Sequence, residues 1–125
     1  MALAALTTAL IGRPCTLPPD LVGRYPELAT ARWRVGGLPP RVGGWCLGRR
    51  TVSAITLWRV VFLAPGTRPS AELLLHELAH VHQFACAPSF PLRYLWESIR
   101  RGYTMNRFEV AARRFAADRV QRSTT

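Results

Sequence analysis

The chain has no lysine, only seven acidic residues and only three cysteines among its 125 residues, and each shortage closes off a class of function. Cys15, Cys46 and Cys86 are an odd number at wide spacing with no Cys-x-x-Cys pair. Neither a disulfide framework nor a thiolate zinc cage is expected from them, and they read as reduced and partly buried. No apolar run is long enough to span a bilayer. The nearest, residues 2–11, has no basic residue ahead of it, and Gly12-Arg13-Pro14-Cys15 is not an Ala-x-Ala cleavage site. It reads as a short helix packed on the domain, which points to a cytoplasmic protein; a weak signal peptide and export are the alternative.

The scarcity of acid leaves a formal charge of +10, which attracts nucleic acid, anionic lipid or acidic protein. All seventeen basic residues are arginine, but they are dispersed, the largest clusters being Arg49-Arg50, Arg100-Arg101 and Arg113-Arg114. No longer basic block and no zinc-finger or RNA-recognition signature accompanies them, so nucleic acid is not expected as the main partner.

Apolar content is ample, 49% against 19% charged, so a disordered tail is excluded and residues 1–125 suit one domain around one core. Pro18-Pro19, Gly36-Gly37, Pro39-Pro40 and Gly43-Gly44 read as turns, making residues 1–49 a short helix followed by a turn-rich segment. Residues 32–35 and 52–63 are rich in β-branched and aromatic side chains and predict a small antiparallel sheet of about three strands. Three helices follow. Ser70 is a candidate N-cap for a helix over 71–85, with Glu72 in its first turn and Leu74, Leu78, Val81 and Ala85 facing inward. Pro88 and Pro91 stop it, and a second helix over 92–101 ends at Gly102. Asn106 caps a third, running to about residue 120, with Phe108, Ala111, Ala112 and Phe115 inward. Sheet followed by helices is an α+β fold.

All three histidines lie within seven residues, His76-Glu77-Leu78-Ala79-His80-Val81-His82. His76 and His80 are about 40° apart round a helix, so both imidazoles can grip one metal ion. His82 lies about 200° from His80 and reads as a supporting or surface residue. Glu77, about 100° from His76, is placed to reach a metal-bound water as general base. The opposing reading makes these ordinary helix histidines beside a surface carboxylate. An apolar helix interior and a preceding strand favour the His-Glu-x-x-His metal signature.

A catalytic zinc needs a third protein ligand. No histidine follows His82, and the later acidic residues are only Glu97, Glu109 and Asp118, so a carboxylate is expected. Glu109 is the first candidate, because Ala112 beside it would let its helix approach the histidine helix closely. Against this, Asn106-x-x-Glu109 also reads as a capping box, with the Glu turned back to its own backbone. Glu97 is the fallback ligand, and Asp118 reads as a solvated residue pairing with arginine.

The stretch Leu73-Leu74-Leu75-His76-Glu77-Leu78-Ala79-His80-Val81-His82-Gln83, followed by Tyr103 and Asn106-Arg107-Phe108-Glu109-Val110-Ala111-Ala112, resembles the minimal gluzincin zinc metallopeptidases. It is also similar to the metallopeptidase-like core domain associated with extracellular contractile injection systems, in which H-E-L-A-H-V-x-Q is typical. The likeness covers roughly residues 50–115, within a metallopeptidase-like core at about 50–120. It implies a zincin-like minimal domain with Zn2+ on His76, His80 and Glu109 and with Glu77 as the general base of peptide hydrolysis. Thermolysin-like relatives carry a further histidine that supports the oxyanion, and this chain has none left. Tyr103 is the preferred substitute because a phenol can donate to developing negative charge, with Tyr94 or an arginine as alternatives. The resemblance also implies a peptide or protein substrate, held as an added strand along residues 58–62. Two other classes stay open: a catalytically idle zinc-binding structural or secretion-associated module, and an arginine-rich nucleic-acid-binding domain.

Overall fold

The computed structural model describes residues 2–46 and 53–124. The chain runs through helix α1 (Ala2–Ile11), strand β1 (Arg13–Pro14), helix α2 (Pro19–Arg24), a 3-10 turn over Pro26–Thr30, strand β2 (Arg32–Val35) and helix α3 (Leu38–Cys46). Strands β3 (Ala54–Leu57) and β4 (Val60–Leu63) form a hairpin, and helices α4 (Ala71–Cys86), α5 (Phe90–Arg101) and α6 (Arg107–Thr124) follow. The fold is α+β.

The four described strands lie in the order β1-β2-β4-β3. The sheet is mixed, which corrects the expected antiparallel one of about three strands: β1–β2 and β3–β4 are antiparallel, but β2 pairs with β4 in parallel, Arg32 opposite Val60. The cause is the excursion between β2 and β3. The chain leaves β2 through Gly36 and Gly37, at φ 82° and 86°, and a Cβ on Gly37 would sit 2.7 Å from the Gly12 nitrogen. Only glycine permits both that backbone conformation and that approach. The chain then returns on the far side of β2, so the second hairpin strand becomes internal. Val61, Phe62 and Leu63 are accordingly all buried, the unbroken apolar run of a strand covered on both faces.

Several turn signals proved to be helix starts. Pro19 opens α2 and Pro39-Pro40 lie in the first turn of α3; Pro26, not among the expected turns, likewise opens the 3-10 turn. At these places the missing N–H costs no intrahelical bond. Gly43-Gly44 continue α3 instead of breaking it. Residues 52–63 hold a hairpin, in which Trp58 takes φ 55° at the first loop position. That is the position where a two-residue type II′ hairpin loop normally places glycine. Helix α1 exists, but none of its residues is buried. Cys15 is half-buried as expected, whereas Cys86 is exposed. Arg49-Arg50 and the predicted strand start at residue 52 lie outside the described residues.

Helix α4 lies between the sheet and α6. The Ser70 hydroxyl accepts from the Leu73 N–H at 3.1 Å, capping the first turn. Leu74, Leu75, Leu78 and Val81 are buried with Tyr25, Leu28, Trp33, Val61 and Leu63 in one apolar cluster, each aliphatic side chain contributing about 1.5–3 kcal/mol. Ala85 is exposed instead of inward. On α6, Ala112 and Ala116 are fully buried, and their small size brings α6 close to α4. Ala111 faces solvent, contrary to expectation, and Phe108 and Phe115 are half-buried. Among the described residues no helix is long and apolar enough to cross a membrane.

Candidate metal centre

His76 and His80 stand one turn apart on α4, their rings 4.9 Å between centroids and nearly perpendicular at 79°. Glu109 reaches them from the first turn of α6. Its Oε2 lies 2.9 Å from His76 Nε2 and its Oε1 3.0 Å from His80 Nε2. One ligand atom from each of the three residues can be chosen so that all lie within 4.8 Å of one another. Glu109 is 3% and His80 7% exposed, so these groups are withheld from solvent.

The two readings of Glu109 are separated by what starts α6. Asn106, fully buried, accepts from the Phe108 N–H at 2.9 Å and donates to the Tyr94 carbonyl and the Ser98 hydroxyl. Glu109 does not fold back: its carboxylate is taken by His76, His80 and the Tyr94 hydroxyl, which donates to Oε1 at 2.6 Å. The anionic cap comes from α5, where buried Glu97 accepts from the Arg107 N–H at 3.2 Å and satisfies an orphan donor of the helix. Glu97 also pairs with Arg101 and Arg107, so the fallback ligand is a structural cap. Asp118 is exposed.

Gln83, one turn beyond His80, decides which atom of that imidazole faces Glu109. Its side-chain amide donates to the Phe108 carbonyl at 3.0 Å, which fixes its orientation and turns Oε1 toward His80 Nδ1 at 2.8 Å. Nδ1 must then carry the proton, and a neutral His80 presents the bare lone pair of Nε2 to a carboxylate oxygen 3.0 Å away. Two acceptors at that distance require a positive charge between them, either a proton or a metal cation. A tetrahedral zinc with bonds of about 2.0–2.1 Å wants donors about 3.3 Å apart. The two nitrogen–oxygen distances fall a few tenths of an ångström short of that and the whole donor set spans no more than 4.8 Å, so side-chain rotation would bring the three donors onto one cation. Without one, burial pulls the His80 pKa down, but the hydrogen bond and charge of Glu109 outweigh it and raise it. Burial likewise opposes ionisation of Glu109, yet the bonds from His76 and His80 hold its carboxyl well below the usual range.

Glu77 is 6% exposed and accepts from the Thr56 hydroxyl on β3 at 2.8 Å. Burial pushes its pKa up, with the positive side of His80 and His76 only partly offsetting it. Glu77, His80 and Glu109 share a cleft of about 140 Å³ with Thr56, Phe84 and Phe90, comparable to the ~150 Å³ that admits a benzene-sized group. Tyr103 also lines this cleft, and burial together with Glu109 and Glu77 pushes its pKa up to about 12. Tyr94 is raised further by the same causes. His82 is exposed and meets Phe115 edge-on at 5.9 Å, away from the cluster as its position on the helix requires.

Thr56, Gln83 and the Glu109-bonded role of Tyr94 escaped the sequence reading. Gln83 had a local signal, since a residue three beyond a ligand shares its helix face. Thr56 had none, because its contact depends on how the hairpin seats against α4. The edge expected at residues 58–62 is also corrected: β4 is internal, and β3 is the terminal strand on that side. Comparison with protein-family models, with curated proteins and with solved structures found no match to this chain.

Proposed function

We propose that the protein is a zinc-dependent metallopeptidase of gluzincin type, with His76, His80 and Glu109 as metal ligands and Glu77 as general base. The observation that carries this reading is the convergence of two α4 imidazoles and an α6 carboxylate beside a second, buried carboxylate on the wall of an open cleft. A divalent zinc held there supplies Lewis acidity and lowers the pKa of water. The chain's own groups do the rest. Glu77 Oε1, the oxygen not taken by Thr56, accepts a proton from water that attacks a peptide carbonyl, and returns it to the leaving amine. Its raised pKa suits a group that must both take and give a proton. Tyr103 stays protonated at neutral pH and donates toward the negative charge that develops on the carbonyl oxygen.

The substrate is a peptide or protein segment added as a strand along the β3 edge, with one large apolar side chain in the cleft beside Phe84 and Phe90. The test is Glu77→Gln on purified, zinc-loaded protein with a peptide library. We expect zinc to be retained and hydrolysis to fall at least a hundredfold. Activity unchanged by the substitution excludes Glu77 as base. A zinc-loaded wild type that hydrolyses nothing leaves the idle zinc-binding module as the reading.

A further inference from the structure

Helix α5 presents apolar side chains on the wrong side. Its inner face, Phe90, Tyr94 and Glu97, packs toward α4 and α6 and is half-buried or buried. Diametrically opposite, Leu92, Leu95, Trp96 and Ile99 recur at the i, i+3, i+4, i+7 spacing of a single helical stripe about 100° wide. They are 72%, 56%, 60% and 70% exposed. A solvated helix places charge there, so this stripe waits for a cover.

Charge identifies the cover. Arg93 and Arg100, both exposed, run along one border of the stripe, whereas the one acidic residue of α5, Glu97, is buried and engaged with Arg101 and Arg107. A second copy of the chain is disfavoured, because pairing α5 with itself sets Arg93 and Arg100 against arginines with no exposed carboxylate on the helix to answer them. Aliphatic side chains with a tryptophan on one face, arginine at its border and a net charge of +10 are the composition of a helix that lies in the headgroup region of an acidic bilayer.

We propose that the outer face of α5 docks the protein on anionic lipid membranes, the helix lying parallel to the surface with Leu92, Leu95, Trp96 and Ile99 inserted. The inner face of the same helix walls the candidate metal cleft, so docking holds that cleft within about one helix diameter, 10–12 Å, of the headgroups. The inference does not depend on hydrolysis.

The experiment is co-sedimentation of the full chain with vesicles of phosphatidylcholine alone or mixed with phosphatidylglycerol. Wild type should bind the anionic vesicles at least tenfold more tightly than the neutral ones, and less tightly as salt rises. Leu95→Ser/Ile99→Ser, which removes apolar area, and Arg93→Gln/Arg100→Gln, which removes charge, should each lose at least tenfold. All four side chains are exposed, so circular dichroism and thermal melting should stay unchanged. Absence of binding to anionic vesicles overturns the proposal, as does full binding by both double variants. Self-association that Leu95→Ser/Ile99→Ser abolishes, with no vesicle binding, also overturns it and assigns the face to a contact between copies.

Discussion

At the scale of the residue, Glu77 and Gln83 are set in opposite ways. Glu77 is a buried carboxyl whose pKa burial raises above its usual 4.5. A carboxyl raised in the folded state keeps its proton more tightly folded than unfolded. It therefore costs nothing below the unfolded value and destabilises as pH climbs through the folded one. Glu77→Gln should leave the stability of the cation-free protein unchanged near about pH 4 and increase it by about 1–3 kcal/mol near about pH 8. Denaturant unfolding at the two pH values measures this, and equal effects at both would show that burial is not what sets the group. Gln83 acts on His80 through Nδ1. Gln83→Leu should weaken zinc affinity by about 10–100-fold, read by competition with a chelating dye, while Gln83→Glu, which still accepts from Nδ1 but has no donor for the Phe108 carbonyl, should restore only part of it. The histidines and Glu77 could be found from spacing because a helix converts spacing into direction, whereas Glu109 is reached by elimination among the three later carboxylates and by the small Ala112 beside it. Gln83 was within reach of the same reasoning, but Thr56 was not, since nothing local ties a threonine on one strand to a carboxylate twenty-one positions later.

At the scale of the element, the start of α6 matters most, because Glu109 sits in its first turn and part of the cap, the Glu97 carboxylate, comes from another helix. Glu97→Ala should cost about 1–2 kcal/mol in thermal unfolding and, by loosening the turn that carries Glu109, lower zinc affinity as well. Affinity equal to wild type would show that Glu109 is positioned by α6 packing alone. The three C-terminal helices were legible to within a few residues, since Ser70, Gly102 and Asn106 mark their ends and their apolar periodicity is strong. The first half was less so. Proline is an equally good signal for a turn and for the first turn of a helix, which is why the sequence alone shows breaks where α2 and α3 begin. The parallel pairing of β2 with β4 left no local trace, because the order of strands is decided by where the chain returns.

At the scale of the molecule, a cation would join two helices whose contributing residues are far apart in sequence. An ion that binds the folded state but not the unfolded one stabilises by about 2.7 kcal/mol at a hundredfold excess over its dissociation constant. For a chain of this length that is a rise in melting temperature of roughly 5–15 °C, visible by scanning calorimetry and reversed by a chelator. A Glu109→Ala variant should show little of it, and an unchanged shift would move the third ligand elsewhere. Charge belongs to this scale too. Burial of Glu77, Glu97 and Glu109 removes three of the seven acidic residues from the outer surface, so the exterior is more lopsidedly positive than the formal sum suggests.

Trp58 holds its left-handed backbone against the rim of Phe84, 5.4 Å between ring centres, at the tip of the ribbon that carries Thr56. Side chains along a strand alternate, so sliding that ribbon by a single position would carry Thr56 to the other face and leave Glu77 without its hydroxyl. A guest peptide lying along β3 would inherit the same phase. Under the proposed function, the bond that came to rest opposite Glu77 would thus be chosen at an aromatic clasp on the protein's outer skin, at the tip of the hairpin and not among the ligands themselves.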